Sequence, residues 1–329
     1  MKTEAVDTPA GSPRHPFHLD PQMALILRRM LALQGGSPKT WEGSVPELRQ
    51  RAREEYKYWN AAPPAIPRVA DLAAVGAFGP STVRLYDPIG ADVTKPGLIY
   101  FHGGGWVIGD LDLEDTALRV LARESGVAIL SVDYALAPEH PFPAPLEDCV
   151  AVSSWIRTHA NRFGVDAERL GLGGTSAGAN LALASALELR ASDTRWVRSL
   201  LLMYGAFSPP NDSPSYRHFG DGSYGLSTSQ LEYFWSLYVP NAAGRQDPRA
   251  APSRAILSGL PPVFMTVAAL DPLRDDSLRL ADDFTKAGVL VDCRVYPGVI
   301  HGFTLLAREL DAAMRALQEA GAALRASLS

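Results

Sequence analysis

From about residue 81 onward, short runs of apolar and β-branched residues alternate with longer stretches whose apolar positions recur every three or four residues. That rhythm predicts βαβ units and a mainly parallel sheet. The runs place strands at 81–86, 97–101, 127–132, 170–173, 199–204, 263–268 and 291–296, and helices at 115–125, 145–163, 177–190, 275–287 and 304–328. Several of these strands are apolar throughout, as expected when helices cover both faces of a sheet.

The flanking pattern differs. Residues 1–20 show no periodicity and carry Pro9, Pro13 and Pro16, so they are expected to lie loosely on the surface. From Pro21 the positions of Met23, Leu25, Ile26, Leu27, Met30 and Leu31 describe an amphipathic helix, and 45–59 a second, before a Pro-rich bridge over 61–68. Between Ala206 and Gly259 the βα rhythm stops, leaving an aromatic-rich helical piece at 231–238 and no clear strand. Structureless loops of that length are uncommon, which points to an inserted helical cap. The expected division is 1–60 and 206–259 as the two parts of the cap, around a catalytic unit made of 61–205 and 260–329.

Composition narrows the function classes. The chain of 329 residues is 47% hydrophobic and 20% charged, which fits a globular protein rather than a disordered one. Its 31 Lys+Arg against 36 Asp+Glu give a net charge of −5, which excludes a nucleic-acid grip built on a basic surface. Cys149 and Cys293 are too few for a disulfide scaffold and are not spaced as a metal motif. With no apolar signal segment near the start and no run approaching about 18 apolar residues, the expectation is a cytoplasmic protein without stable membrane association.

The most informative segment is Gly174-Thr175-Ser176-Ala177-Gly178, placed between an apolar strand and an Ala/Leu-rich helix. A strand-to-helix turn this sharp leaves the serine hydroxyl exposed, and glycines two residues either side remove Cβ atoms that would collide. The turn also brings the Ala177 N–H and the positive end of a helix to any developing negative charge. A dinucleotide loop is the rival reading, but Ser176 then stands where a third Gly or Ala should allow close helix packing. Upstream, His102-Gly103-Gly104-Gly105-Trp106 follows another strand. Three consecutive glycines suggest main-chain N–H donors aimed at an oxyanion, with His102 bracing the loop.

A serine nucleophile needs a base, and the base needs a carboxylate to orient it. Of seven histidines, His15 and His18 fall in the N-terminal stretch, His102, His140 and His159 precede the serine, and His218 falls in the insertion. His301, in a loop after a strand, completes the chain order Ser, acid, His. The acid expected is Asp271, at the end of the run 263–270, with Asp275 in reserve because first-turn carboxylates favour the helix dipole without any catalytic role. Asp110, Asp112, Glu114 and Asp115 imitate the start of a calcium loop but lack its required glycine, so helix N-capping is the better reading. The aromatic stripe Tyr233, Phe234, Trp235 and Tyr238 reads as packing that could also line a pocket.

These motifs, with Asp133-Tyr-Ala-Leu-Ala-Pro-Glu-His-Pro-Phe-Pro143, resemble the hormone-sensitive-lipase-like bacterial esterases of the α/β-hydrolase superfamily, in the branch carrying Thr in the elbow. The resemblance implies an α/β-hydrolase fold with an eight-stranded, mostly parallel sheet and a helical cap. It also implies cofactor-free, metal-free hydrolysis of short acyl esters, with Gly103, Gly104, Gly105 and Ala177 as the oxyanion segment and the choice of glycine amides left open. Homodimers are common among similar proteins, with the last strand and helix as an expected contact. Amides, lactones, acyl transfer, or ligand binding without turnover stay open as alternatives.

Overall fold

The structure, a computed structural model, describes residues 18–33, 43–91, 93–191 and 196–329. The expected loose stretch before residue 18 lies outside them. Two helices, α1 (Pro21–Leu33) and α2 (Val45–Trp59), precede a hairpin of β1 (Arg68–Gly76) and β2 (Gly79–Asp87). The βα rhythm then runs through β3 (Lys95–Phe101), α3 (Asp115–Ser125), β4 (Ala128–Val132), α4 (Ala144–Thr158), β5 (Val165–Thr175), α5 (Ala177–Ala191) and β6 (Val197–Met203). After the insertion, with α6 (Pro214–Phe219) and α7 (Thr228–Tyr238), come β7 (Val263–Leu270), α8 (Arg274–Lys286), β8 (Val291–Ile300) and α9 (Asp311–Leu328).

The eight strands form one sheet in the order β1-β2-β4-β3-β5-β6-β7-β8. Only the β1/β2 and β2/β4 pairs are antiparallel. Alternation within each strand sends side chains to two cores. Ile99 and Phe101 of β3 and Leu200 and Leu202 of β6 pack with α4, α5 and α8, whereas Leu98, Tyr100, Leu201 and Met203 pack with α3 and α9. Because both faces are covered, the central strands carry apolar residues at nearly every position.

Four departures from the sequence expectation have local causes. β1 is absent from the sequence expectation, which ends the bridge at 68 and places its first strand at 81. Its sequence, RVADLAAVG, is half-exposed at most positions, as befits an edge strand, and its alanines carry no strand signal. β8 continues through Pro297 and Gly298 to Ile300, which an edge strand tolerates because its outer N–H groups need no partner. The expected helix over 145–163 ends at Thr158, with a separate short turn at Ala160–Phe163. The C-terminal helix starts at Asp311, later than residue 304, after a 3₁₀ turn at Phe303–Leu306.

The parallel topology has one consequence for chemistry. Strands β3, β5, β7 and β8 all end at the same edge of the sheet, and each hands over directly to a segment singled out from the sequence. His102 follows β3, Ser176 follows β5, Asp271 follows β7 and His301 follows β8. The carboxyl edge of such a sheet is where ligands bind in open α/β folds.

Candidate active site

Ser176 is the single residue between β5 and α5, and its φ is +51°. A non-glycine residue in the left-handed region costs of order 1–3 kcal/mol and persists only where its surroundings hold it. Here the Ser176 N–H donates to the Met203 carbonyl at 2.9 Å, and its carbonyl accepts from Ala206 at 3.2 Å. The two flanking glycines are required by crowding. A Cβ on Gly178 would lie 1.9 Å from the Phe101 carbonyl oxygen, and one on Gly174 would lie 2.4 Å from the backbone of Gly178. The end of β3 therefore presses directly against the turn, and only bare backbone fits on both sides of the serine.

His301 lies against that serine. Its Nε2 is 3.0 Å from Ser176 Oγ and its Nδ1 is 2.8 Å from Asp271 Oδ2. Asp271 is 1% exposed, and its other oxygen accepts the Leu273 N–H at 2.8 Å. An ionised carboxylate only accepts, so the geometry suits the tautomer with its proton on Nδ1, which leaves Nε2 to accept from the hydroxyl. Tyr204 packs edge-on to the imidazole, with ring centroids 5.1 Å apart, and limits its tilt.

Asp275, the reserve carboxylate, serves elsewhere: it accepts the Ser215 N–H at 2.9 Å and pairs with Arg274 at 3.0 Å. Neither cysteine lines the cavity that holds Ser176 and His301. Burial pushes the Cys149 thiol well above its ordinary value, and burial with Asp292 nearby pushes Cys293 up to about 11.

The glycine loop closes over the serine from the other side. The Gly104 carbonyl accepts from Val107 and Ile108 at 3.1 and 2.9 Å, folding the loop into a tight turn. Gly104 and Gly105 have φ of +111° and +60°. A Cβ on Gly105 would lie 2.2 Å from the Phe234 ring, so that residue must be glycine for α7 to approach. The Gly103 N–H donates to Glu114 Oε1 at 3.0 Å, so of the three glycine amides among which the sequence left the choice open, this one is already engaged. The N–H groups of Gly104, Gly105 and Ala177 find no acceptor among the described residues. His102 braces the loop: its Nδ1 lies 2.7 Å from the Gly103 carbonyl, its ring stacks on Tyr134, and its own carbonyl accepts the Tyr134 hydroxyl at 2.9 Å.

The aromatic stripe divides its work. Trp235 and Tyr238 pack against Trp106, the latter stacked with centroids 4.3 Å apart, while Tyr233 and Phe234 line a cavity of about 890 Å³. Ser176, His301 and the three glycines lie in its wall, faced by Leu27, Met30 and Leu31 of α1, Tyr56 and Trp59 of α2, and Gln230 and Leu231 of α7. Arg49 fixes α2 to the loop by donating to the Val107 and Ala137 carbonyls at 2.8 and 3.0 Å.

The sequence reading missed one residue at this site. Glu114, grouped there with helix-capping acids, is 2% exposed and lies behind the glycine loop and the serine turn. Its neighbours Asp110, Asp112 and Asp115 instead pair with Arg53, Arg84 and Arg119. Among the described residues no group of His, Cys, Asp and Glu is arranged to hold a metal ion, and no helix is long and apolar enough to cross a membrane.

Comparison with known proteins identifies the family. A family profile described as α/β hydrolase fold matches residues 98–305. An acetyl esterase of Salmonella typhi is 35% identical over 288 residues, covering 87% of this chain and 88% of that protein. Among solved structures, an ester hydrolase from the Lake Arreo metagenome, complexed with a bipyridine phosphonate derivative, superposes with a TM-score of 0.88 at 37% identity, covering 94% of this chain and 98% of that one. The hyperthermophilic esterase of the archaeon Pyrobaculum calidifontis gives a TM-score of 0.89 at 30% identity, covering 94% and 99%. The chain belongs to the α/β-hydrolase superfamily, among its hormone-sensitive-lipase-like esterases.

Proposed function

We propose that this carboxylic-ester hydrolase cleaves short-chain acyl esters through an acyl-enzyme on Ser176. Ser176 Oγ attacks the ester carbonyl carbon while His301 Nε2 takes the hydroxyl proton and Asp271 holds the resulting imidazolium. The carbonyl oxygen, now an oxyanion, is met by N–H groups of Gly104, Gly105 and Ala177. Collapse of the tetrahedral intermediate breaks the carbon–alkoxide bond, and His301 returns its proton to the departing alcohol. Water then repeats the sequence: His301 takes one of its protons, its oxygen attacks the acyl carbon, and collapse releases the acid and restores Ser176. The observation that carries this reading is the hydrogen-bonded relay from Ser176 to His301 to Asp271, at 3.0 and 2.8 Å, beside unpaired main-chain donors.

The proposal extends to the cap and the substrate. Residues 1–60 and 206–259 would form the cap, a division supported by the faces of α1, α2 and α7 in the cavity wall. Phe234, packed against Gly105, lines the cavity wall beside Ser176, and we place the preferred acyl group at the short end of the scale. The name of the Salmonella relative supports the same end of the scale. Nothing in this chemistry needs an oxidising compartment, and the two unpaired cysteines are compatible with the cytoplasm.

A panel of p-nitrophenyl esters from acetyl to dodecanoyl, run beside amide and lactone analogues with product analysis, tests it. The expected kcat/KM is highest between acetyl and butyryl and at least about tenfold lower at dodecanoyl. A maximum at the long-chain end, or amides turned over faster than esters, would contradict the substrate reading.

A further inference from the structure

We propose that Glu114 is a positioning residue that sets the spacing between the two halves of the oxyanion hole, an inference that rests on the acyl-enzyme reading. One half is the glycine loop after β3; the other is the start of α5, immediately after the serine. Glu114 Oε1 accepts from both, from the Gly103 N–H at 3.0 Å and from the Thr175 hydroxyl. Its Oε2 accepts the Tyr100 hydroxyl at 2.6 Å, which ties the same carboxylate to β3. Burial pushes the Tyr100 phenol far above its ordinary value, so it remains a donor.

The physical case is one of satisfied burial. An enclosed carboxylate is expensive unless donors surround it. Here the three partners are neutral donors, and each comes from an element the reaction needs in register. A carboxylate is suited to this because its oxygens accept and none of its atoms donates. Turning the Gly103 N–H onto Glu114 fixes the peptide ahead of Gly104 and Gly105, whose amides then stay free for the oxyanion. Gripping Thr175 fixes the residue ahead of Ser176 and Ala177. The two halves also touch directly, since a Cβ on Gly103 would lie 3.0 Å from Thr175 Oγ1 and 3.5 Å from Ser176 Cβ. Electrostatic stabilisation of the oxyanion is not the role, because a negative charge nearby opposes it. What Glu114 contributes is geometry, and a misplacement on the order of 1 Å near reacting atoms can cost about 10²-fold in rate.

The test uses the full chain carrying E114A, E114Q, T175V and the double change E114A/T175V. The readouts are kcat and KM on p-nitrophenyl acetate, affinity for an alkyl trifluoromethyl ketone whose serine adduct puts an oxyanion in the hole, and melting temperature. E114A is expected to lower kcat by about 10- to 100-fold with KM within about threefold, and to weaken the ketone by a similar factor. T175V should act in the same direction, and the double variant should be no more than about twofold worse than E114A, because both break one link. E114Q should recover at least about fivefold over E114A, since its amide oxygen can serve Gly103 and Thr175 while its NH₂ donates to Tyr100.

Folded E114A and T175V with kcat within about twofold of the unaltered protein would overturn the proposal, as would lost turnover with undiminished ketone affinity. Losses that multiply in the double variant would overturn it too. Should E114A fail to fold, T175V, which removes one hydroxyl without changing shape, decides by the same readouts. An unaltered protein that hydrolyses no ester would remove the acyl-enzyme reading instead, a result these variants do not produce.

Discussion

Replacing Ser176 by alanine should lower kcat on a short p-nitrophenyl ester by at least about 10⁴-fold while leaving the fold intact, because the variant loses the atom that forms the covalent bond in the proposed mechanism. Alanine at φ +51° carries much the same backbone strain as serine, and the Ser176 main-chain bonds to Met203 and Ala206 do not involve the side chain. The melting temperature should therefore stay within a few degrees. Residual turnover would come from the main-chain donors and from binding, which together still exceed water. The comparison is steady-state kinetics on both proteins at one pH, with circular dichroism and a thermal melt. A folded variant keeping a tenth of the original kcat would mean that another group carries the chemistry.

Asp271→Asn should cost about 10⁴-fold in kcat, more than loss of shape or volume could explain. The side chain would keep its position because its oxygen can still accept the Leu273 N–H, the bond that Asp271 makes at 2.8 Å. That choice turns the new NH₂ toward His301 Nδ1, which must then accept. The imidazole proton moves to Nε2, and Nε2 can no longer take the proton of Ser176. The variant is thus a folded enzyme with the wrong tautomer rather than an empty site. Asp275→Asn is the matched control. Asp275 bonds to Ser215 and Arg274, so kcat should stay within about threefold even if some stability is lost. Equal losses in the two variants would assign the acid wrongly.

How much of this was legible beforehand depended on how local each signal is. Gly174 and Gly178 stand out because the turn they flank admits no Cβ, and that demand is written within five residues. The ends of β3, β5 and β7 were readable because apolar runs stop where chemistry-bearing residues begin, whereas β8 continues past its expected end at 296 to Ile300; parallel topology gathers all four ends at one edge. Glu114 was not readable. Its partners lie 14, 11 and 61 positions away, and in sequence it looks like any acid before a helix. For the same reason Gly103 could not be separated from Gly104 and Gly105: what distinguishes it is a bond to that hidden carboxylate. β1 escaped because an edge strand lacks the second buried face that makes its neighbours conspicuous.

The most direct measurement is intact mass after brief exposure to a fluorophosphonate at neutral pH, followed by peptide mapping. The site described here predicts one adduct per chain, on Ser176, at a rate that falls steeply in His301→Ala and vanishes in Ser176→Ala. Stoichiometric labelling of another residue, or an unaltered chain that resists the reagent while folded, would contradict it.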